Sequence, residues 1–87
     1  MTKLNENILL DELENGAVLL DSDNEKIIIL QERELLLLKK SFFCTVSDLI
    51  QEALNLFQGE EEEIRNDIIQ FFSKLEEEGF VVSDVEN

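Results

Sequence analysis

Histidine, proline and tryptophan are missing from these 87 residues, and cysteine occurs once. Without histidine the chain lacks the usual general base near neutral pH, and no Ser-His-Asp triad can be assembled. Lone Cys44, with no histidine or second cysteine beside it, gives neither an internal disulfide nor a tetrahedral thiolate metal site. Its setting, Phe42-Phe43-Cys44, is apolar, so the expectation is a buried free thiol in a reducing cytoplasm. Gly16, Gly59 and Gly79 stand apart from one another, which leaves no glycine-rich loop to cradle a phosphate. No stretch reaches the roughly 18 apolar residues that span a bilayer, and Met1 to Glu12 has no basic region followed by a long apolar run. Catalysis, nucleotide binding, membrane insertion and secretion are all without support, and no cofactor is expected.

Basic residues are also scarce. Seven Lys and Arg face 21 Asp and Glu, a formal net charge of -14. Such a field repels nucleic acid and steers inward a partner that carries Lys or Arg beside an apolar anchor. With acids this abundant, pairs such as Glu60 with Glu63 or Glu76 with Glu78 read as solvated helix surface, not as metal or catalytic ligands. Asp21, Asp23 and Glu25 alternate as in a calcium loop, but no glycine or closing Glu completes a twelve-residue pattern, so a turn is the reading.

What is present suffices for one modest core, and residues 1–87 are expected to form a single domain. Ile8 to Leu13 and Ala17 to Asp21 flank Glu14-Asn15-Gly16, where Asn-Gly predicts a hairpin turn because both residues tolerate positive φ. After the polar turn Asp21 to Glu25, Lys26 to Gln31 supplies Ile27-Ile28-Ile29-Leu30, whose β-branched residues favour a third strand. Ile27 and Ile29 point to one side and Ile28 and Leu30 to the other, with either pair able to enter the core. Glu32 to Lys40, with four consecutive leucines and two closing lysines, predicts helix one. Thr45 is a good N-cap, with Asp48 at N3 and Cys44 opposite Leu49 as a staple, so helix two begins near Val46. Its stripe is Leu49, Ile50, Ala53, Leu54 and Phe57, with Gly59 as its cap. Glu60 to Glu63 open helix three, whose buried stripe is Ile64, Ile68, Phe71, Phe72 and Leu75. Gly79 fits the C′ position with Phe80 beyond it, and Val81-Val82 gives a last extended piece.

From about Ile8 to Val82 the sequence resembles the PqqD-like family. The resemblance rests on Gly16-Ala17-Val18-Leu19-Leu20-Asp21, Lys26-Ile27-Ile28-Ile29-Leu30, Thr45-Val46-Ser47-Asp48-Leu49-Ile50, and the closing run from Asp67 to Phe80. It departs from many members where Gln31-Glu32-Arg33 and the leucine run replace an Asn-containing segment and a Trp, and where Phe43-Cys44 replaces Asp-Gly before the capping Thr. The resemblance implies an α+β, winged helix-turn-helix-like fold: a three-stranded antiparallel sheet followed by three helices. It further implies non-catalytic binding of the leader of a ribosomally made precursor peptide, which adds as a strand beside the third strand and packs on helix three. The residues assigned to the peptide are then Lys26, Ile27, Ile28, Ile29, Leu30 and Gln31 on the strand, with Asp67, Phe71 and Lys74 on the helix. The partners implied are that leader and a leader peptidase, cyclase or radical-chemistry modifying enzyme, with lasso peptide biosynthesis the preferred setting. A cytoplasmic monomer or weak dimer is expected. The competing readings are a winged-helix DNA-binding regulator, which the acidic start of helix three disfavours, and a general acidic interaction domain.

Overall fold

The computed structural model describes residues 1–56 and 58–83. The elements run β1 (Thr2–Leu4), β2 (Ile8–Leu13), β3 (Gly16–Asp21), β4 (Lys26–Gln31), α1 (Glu32–Ser41), α2 (Val46–Leu56), α3 (Glu61–Glu77) and β5 (Val81–Ser83). The predicted three-stranded antiparallel sheet is present in the order β2-β3-β4, and three helices follow it. The chain's likeness to a winged helix-turn-helix is loose, since the sheet precedes all three helices. A second, two-stranded sheet pairs β1 with β5, with Thr2 opposite Ser83 and Leu4 opposite Val81. The closing strand agrees with the sequence reading, whereas β1 was not expected. Three residues are too few for a period-2 pattern to register, and the partner lies at the far end of the chain.

The first turn corrects one detail. Leu13 pairs with Gly16, so Glu14 and Asn15 alone make the bend, and Asn15 does not take positive φ; among the described non-glycine residues Glu25 alone does, at 55°. Gly16 is needed for a different reason. A Cβ at this position would collide with the Leu30 carbonyl oxygen on β4. The glycine therefore permits close approach of β3 to β4. In the second turn Asp21, 1% exposed, accepts hydrogen bonds from Asn7 Nδ2 at 2.7 Å and from Asn24 Nδ2 at 3.0 Å and backbone N at 3.2 Å. The Asn24 side chain foremost, with the Asn24 and Asp23 backbone N–H groups, holds its carboxyl below the ordinary carboxylate range, while burial opposes. The carboxylate closes a turn, as the sequence reading held.

Helix boundaries follow local chemistry. The Gln31 N–H donates to Glu34 Oε1 at 2.9 Å, fixing the strand-to-helix junction. Asp48 N donates to Thr45 Oγ1 at 3.0 Å, the expected N-cap bond of α2. At the other end the described part of α2 runs to Leu56, and Gly59, the expected cap, lies between α2 and α3. Phe57, placed on the α2 stripe by spacing, lies outside the described residues. The end of α3 is a Schellman motif: Phe80 N donates to the Leu75 carbonyl at 2.9 Å and Gly79 N to that of Glu76 at 3.1 Å, with Gly79 at φ 85°. Phe80 is thereby turned into the core, where it is 1% exposed. Cys44 is half-buried instead of fully buried, with Sγ 3.3 Å from the Lys40 carbonyl; burial first, then Asp48 and Glu52, push the thiol up.

The core lies between one face of β2-β3-β4 and the helices. Ala17, Leu19 and Leu30 meet Leu38 of α1, Leu49, Ile50 and Ala53 of α2, and Ile68, Phe72 and Leu75 of α3. α1 packs directly on β3 and β4, while α3 packs on α2 and β5. α1 therefore covers the sheet, and α3 stands to one side of β4 with space between them.

Candidate functional site

That space is a groove with β4 along one wall and α3 along the other. β4 is hydrogen-bonded to β3 on one side, and among the described residues no strand pairs with its other side. Such an edge offers unpaired N–H and C=O groups to any extended chain that approaches it. The Gln31 end opens into a cleft of about 580 Å³ whose apolar floor is Leu37, Ile64, Ile68 and Phe71, with Arg33, Glu34, Asp67 and Lys74 among the polar residues around it. The Lys26 end opens into a smaller cleft of about 310 Å³ lined by Lys26, Ile27, Ile28, Lys74, Glu78 and Phe80. Lys74 lines both and marks where they meet.

Helical spacing places the α3 wall. Asp67, Phe71 and Lys74 recur at four and three residues, so they share one face, and all three line the larger cleft. Phe71 is half-buried and stands edge-on to buried Phe72, with ring centroids 5.0 Å apart at 71°. Phe72 belongs to the core and Phe71 to the groove. Ile64, expected deeper in the helix stripe, is half-buried and joins the cleft floor.

On β4 the period of two divides the residues assigned from sequence. Leu30 is 2% exposed in the core and Ile28 is half-buried beside it, whereas Ile27 and Ile29 are 65% and 74% exposed. Gln31, Asp67, Phe71 and Lys74 gather at the larger cleft and Lys26, Ile27 and Ile28 at the smaller, while the Ile29 and Leu30 side chains line neither. Those two can contribute to a groove ligand through their backbone. The sequence reading missed the α1 contribution, Arg33 and Leu37, and the far-end pair Glu78 and Phe80. The spacing of Arg33 and Leu37, four apart on the helix that packs over β4, was the available signal.

The two ends of the groove differ electrically, and in the larger cleft Arg33 and Lys74 stand against Glu34, Glu63 and Asp67. Lys26 Nζ reaches Glu78 across its narrow end, 3.3 Å from both the backbone carbonyl and Oε1. Two lysines against one glutamate make the smaller cleft locally positive in a chain of net charge -14. No group of three or more Cys, Asp or Glu residues is arranged to hold a metal among the described residues, and no described helix is long and apolar enough to cross a membrane.

A second surface lies on the sheet's outer face. Register puts Leu9, Leu20 and Ile27 in one row and Asp11, Val18 and Ile29 in the next. Leu9, Ile27 and Ile29 are each at least 60% exposed, so the face is apolar, uncovered and marked by one carboxylate.

The family model for coenzyme PQQ synthesis protein D (PqqD) matches residues 16–81, from β3 through both groove walls. Two solved structures share the fold. "Lasso peptide synthetase B1 complexed with the leader peptide" is 21% identical with a TM-score of 0.82, covering 93% of this chain and 96% of that one. "TbiB1 in Complex with the TbiA(beta) Leader Peptide" is 9% identical with a TM-score of 0.80, covering 97% and 99%. Among curated proteins there is no match.

Proposed function

This chain belongs to the PqqD family, and from that premise we propose that it binds, without turning it over, the leader of a ribosomally synthesised precursor peptide. The observation that carries the reading is the unpaired edge of β4 running beside a groove walled by α3. Strand addition takes affinity from main-chain hydrogen bonds and specificity from pockets under alternate side chains, and the two clefts supply such pockets. The leader lies as a fourth strand along Lys26–Gln31, with apolar side chains over Phe71 and Ile28. Both structural neighbours are complexes with a leader peptide, which supports the same ligand class here.

A recognition protein of this kind acts by handing its peptide to an enzyme. The outer sheet face is the surface left for that partner once the groove is filled. A second copy of this chain is a poor occupant, because two-fold pairing would bring two highly acidic molecules together with Asp11 inside the apolar patch. An apolar surface carrying a Lys or Arg to meet Asp11 fits better. The partner is a leader peptidase, in lasso peptide maturation, with a cyclase or a radical-chemistry enzyme as the other classes. The protein works in the cytoplasm as a single domain, monomeric or weakly dimeric. A DNA-binding role is disfavoured because the first turn of α3 carries Glu61, Glu62 and Glu63 where phosphates would lie.

Calorimetry with the leader, the core peptide and the whole precursor encoded beside this protein tests the reading. Leader and precursor should bind alike and the core should not. Binding confined to the core, or absent from all three, overturns it.

A further inference from the structure

Cations are scarce in this chain, and most of them are engaged. Lys26, Lys39, Lys40 and Arg65 hold ion pairs with Glu78, Glu12, Glu52 and Glu61, and Arg33 also has an interaction partner. Lys74 is different. It has no carboxylate partner among the described residues, although acids outnumber bases 21 to 7 and Glu78, the C-cap of its own helix, lies four positions further on. Glu78 pairs instead with Lys26 across the groove. The helix dipole favours a cation in the last turn of α3, but Lys26 already meets the terminal carbonyl of Glu78. Among the described residues that leaves the Lys74 ammonium without an ion-pair partner, on the side chain that lines both clefts.

We propose that Lys74 seats a carboxylate of the bound peptide, an aspartate or glutamate at one fixed position, next to the apolar side chain that enters the cleft of Ile27, Ile28 and Phe80. The proposal rests on the peptide-groove reading and adds a selection rule to it. The acidic field elsewhere on the protein disfavours anionic segments in general. A single acid is accepted at Lys74 because the charge there is matched and partly shielded from water by the peptide itself. The geometry thus selects a peptide acidic at one register position and basic or neutral at its flanks.

The test uses a displayed library of linear dodecapeptides selected on the full chain. Wild-type protein should enrich peptides with alternating apolar residues and an Asp or Glu at one fixed place. Lys74→Glu should shift that place to Lys or Arg. For a selected peptide, replacing its acid by the amide should weaken binding about three- to tenfold on the wild type, with no change on Lys74→Met, and bound-state amide shifts should include Lys26 to Ile28 and Lys74 to Phe80. Apolar enrichment with no fixed acid, or a fixed acid insensitive to both Lys74 substitutions, overturns the carboxylate seat and leaves the groove standing. Enrichment of no peptide, or of peptides whose shifts fall on α2, overturns the groove reading together with it.

Discussion

Lys26 Nζ lies 3.3 Å from both the backbone carbonyl and the Oε1 of Glu78, joining the first residue of the sheet edge to the C-terminal end of the helix facing it. Both side chains are about two-fifths exposed, 43% and 41%, so solvent screens the pair and its worth to folding is small. Its consequence is geometric, because it bridges the groove at one end.

Lys26→Met should therefore change urea-determined stability by less than about 1 kcal/mol while weakening leader binding several-fold. A loss above about 2 kcal/mol would place the pair in the folding core instead.

Adjacent phenylalanines should behave unlike each other. Phe72 is 7% exposed within the core, and its truncation to Ala should cost about 3–5 kcal/mol. Phe71 is half-buried on the groove, so Phe71→Ala should cost about 1–2 kcal/mol by the smaller area it buries and remain folded, yet lose at least tenfold in leader affinity. A folded Phe71→Ala protein that binds at wild-type strength would move the groove elsewhere.

Acid should weaken the second turn. The folded Asp21 carboxyl titrates below the ordinary aspartate range, chiefly through the Asn24 side chain, so at low pH the unfolded chain binds this proton first. The contribution is fully present above the unfolded value and is lost as pH falls through the folded one. Other carboxylates titrate in the same range, and their protonation relieves self-repulsion. The informative quantity is thus the stability difference between wild type and Asp21→Asn, which should shrink as pH falls below about 4. A difference constant from pH 6 to pH 2.5 would mean that the turn does not depend on the charge.

Leu9→Lys separates the two surfaces. Leu9 is 60% exposed on the outer face of β2, remote from the β4 edge, so stability should move by no more than about 0.5 kcal/mol and leader affinity should hold. Acceleration of precursor processing in a reconstituted reaction should be lost. Undiminished acceleration would show that the enzyme docks elsewhere.

Most elements were legible in the sequence because each carries a local signal. The Thr45 cap, the Gly79-Phe80 ending, the β-branched run at Ile27 to Ile29 and the stripe of α2 each involve residues within a turn or two of one another, where backbone preference and side-chain spacing decide. The acidic start of α3 and the missing histidine likewise bounded the chemistry before any contact was known. Three things depended on the assembled chain. Which face of β4 is buried required knowing that α1 lies over Leu30 and Ile28, since period 2 gives two faces without ranking them. Pairing of β1 with β5 joins segments about eighty residues apart, and no local pattern encodes such a partnership. That Lys74 has no ion-pair partner among the described residues is a third. Spacing along α3 offers it Glu78, and only the approach of β4, which gives that glutamate to Lys26, leaves the lysine open to the groove.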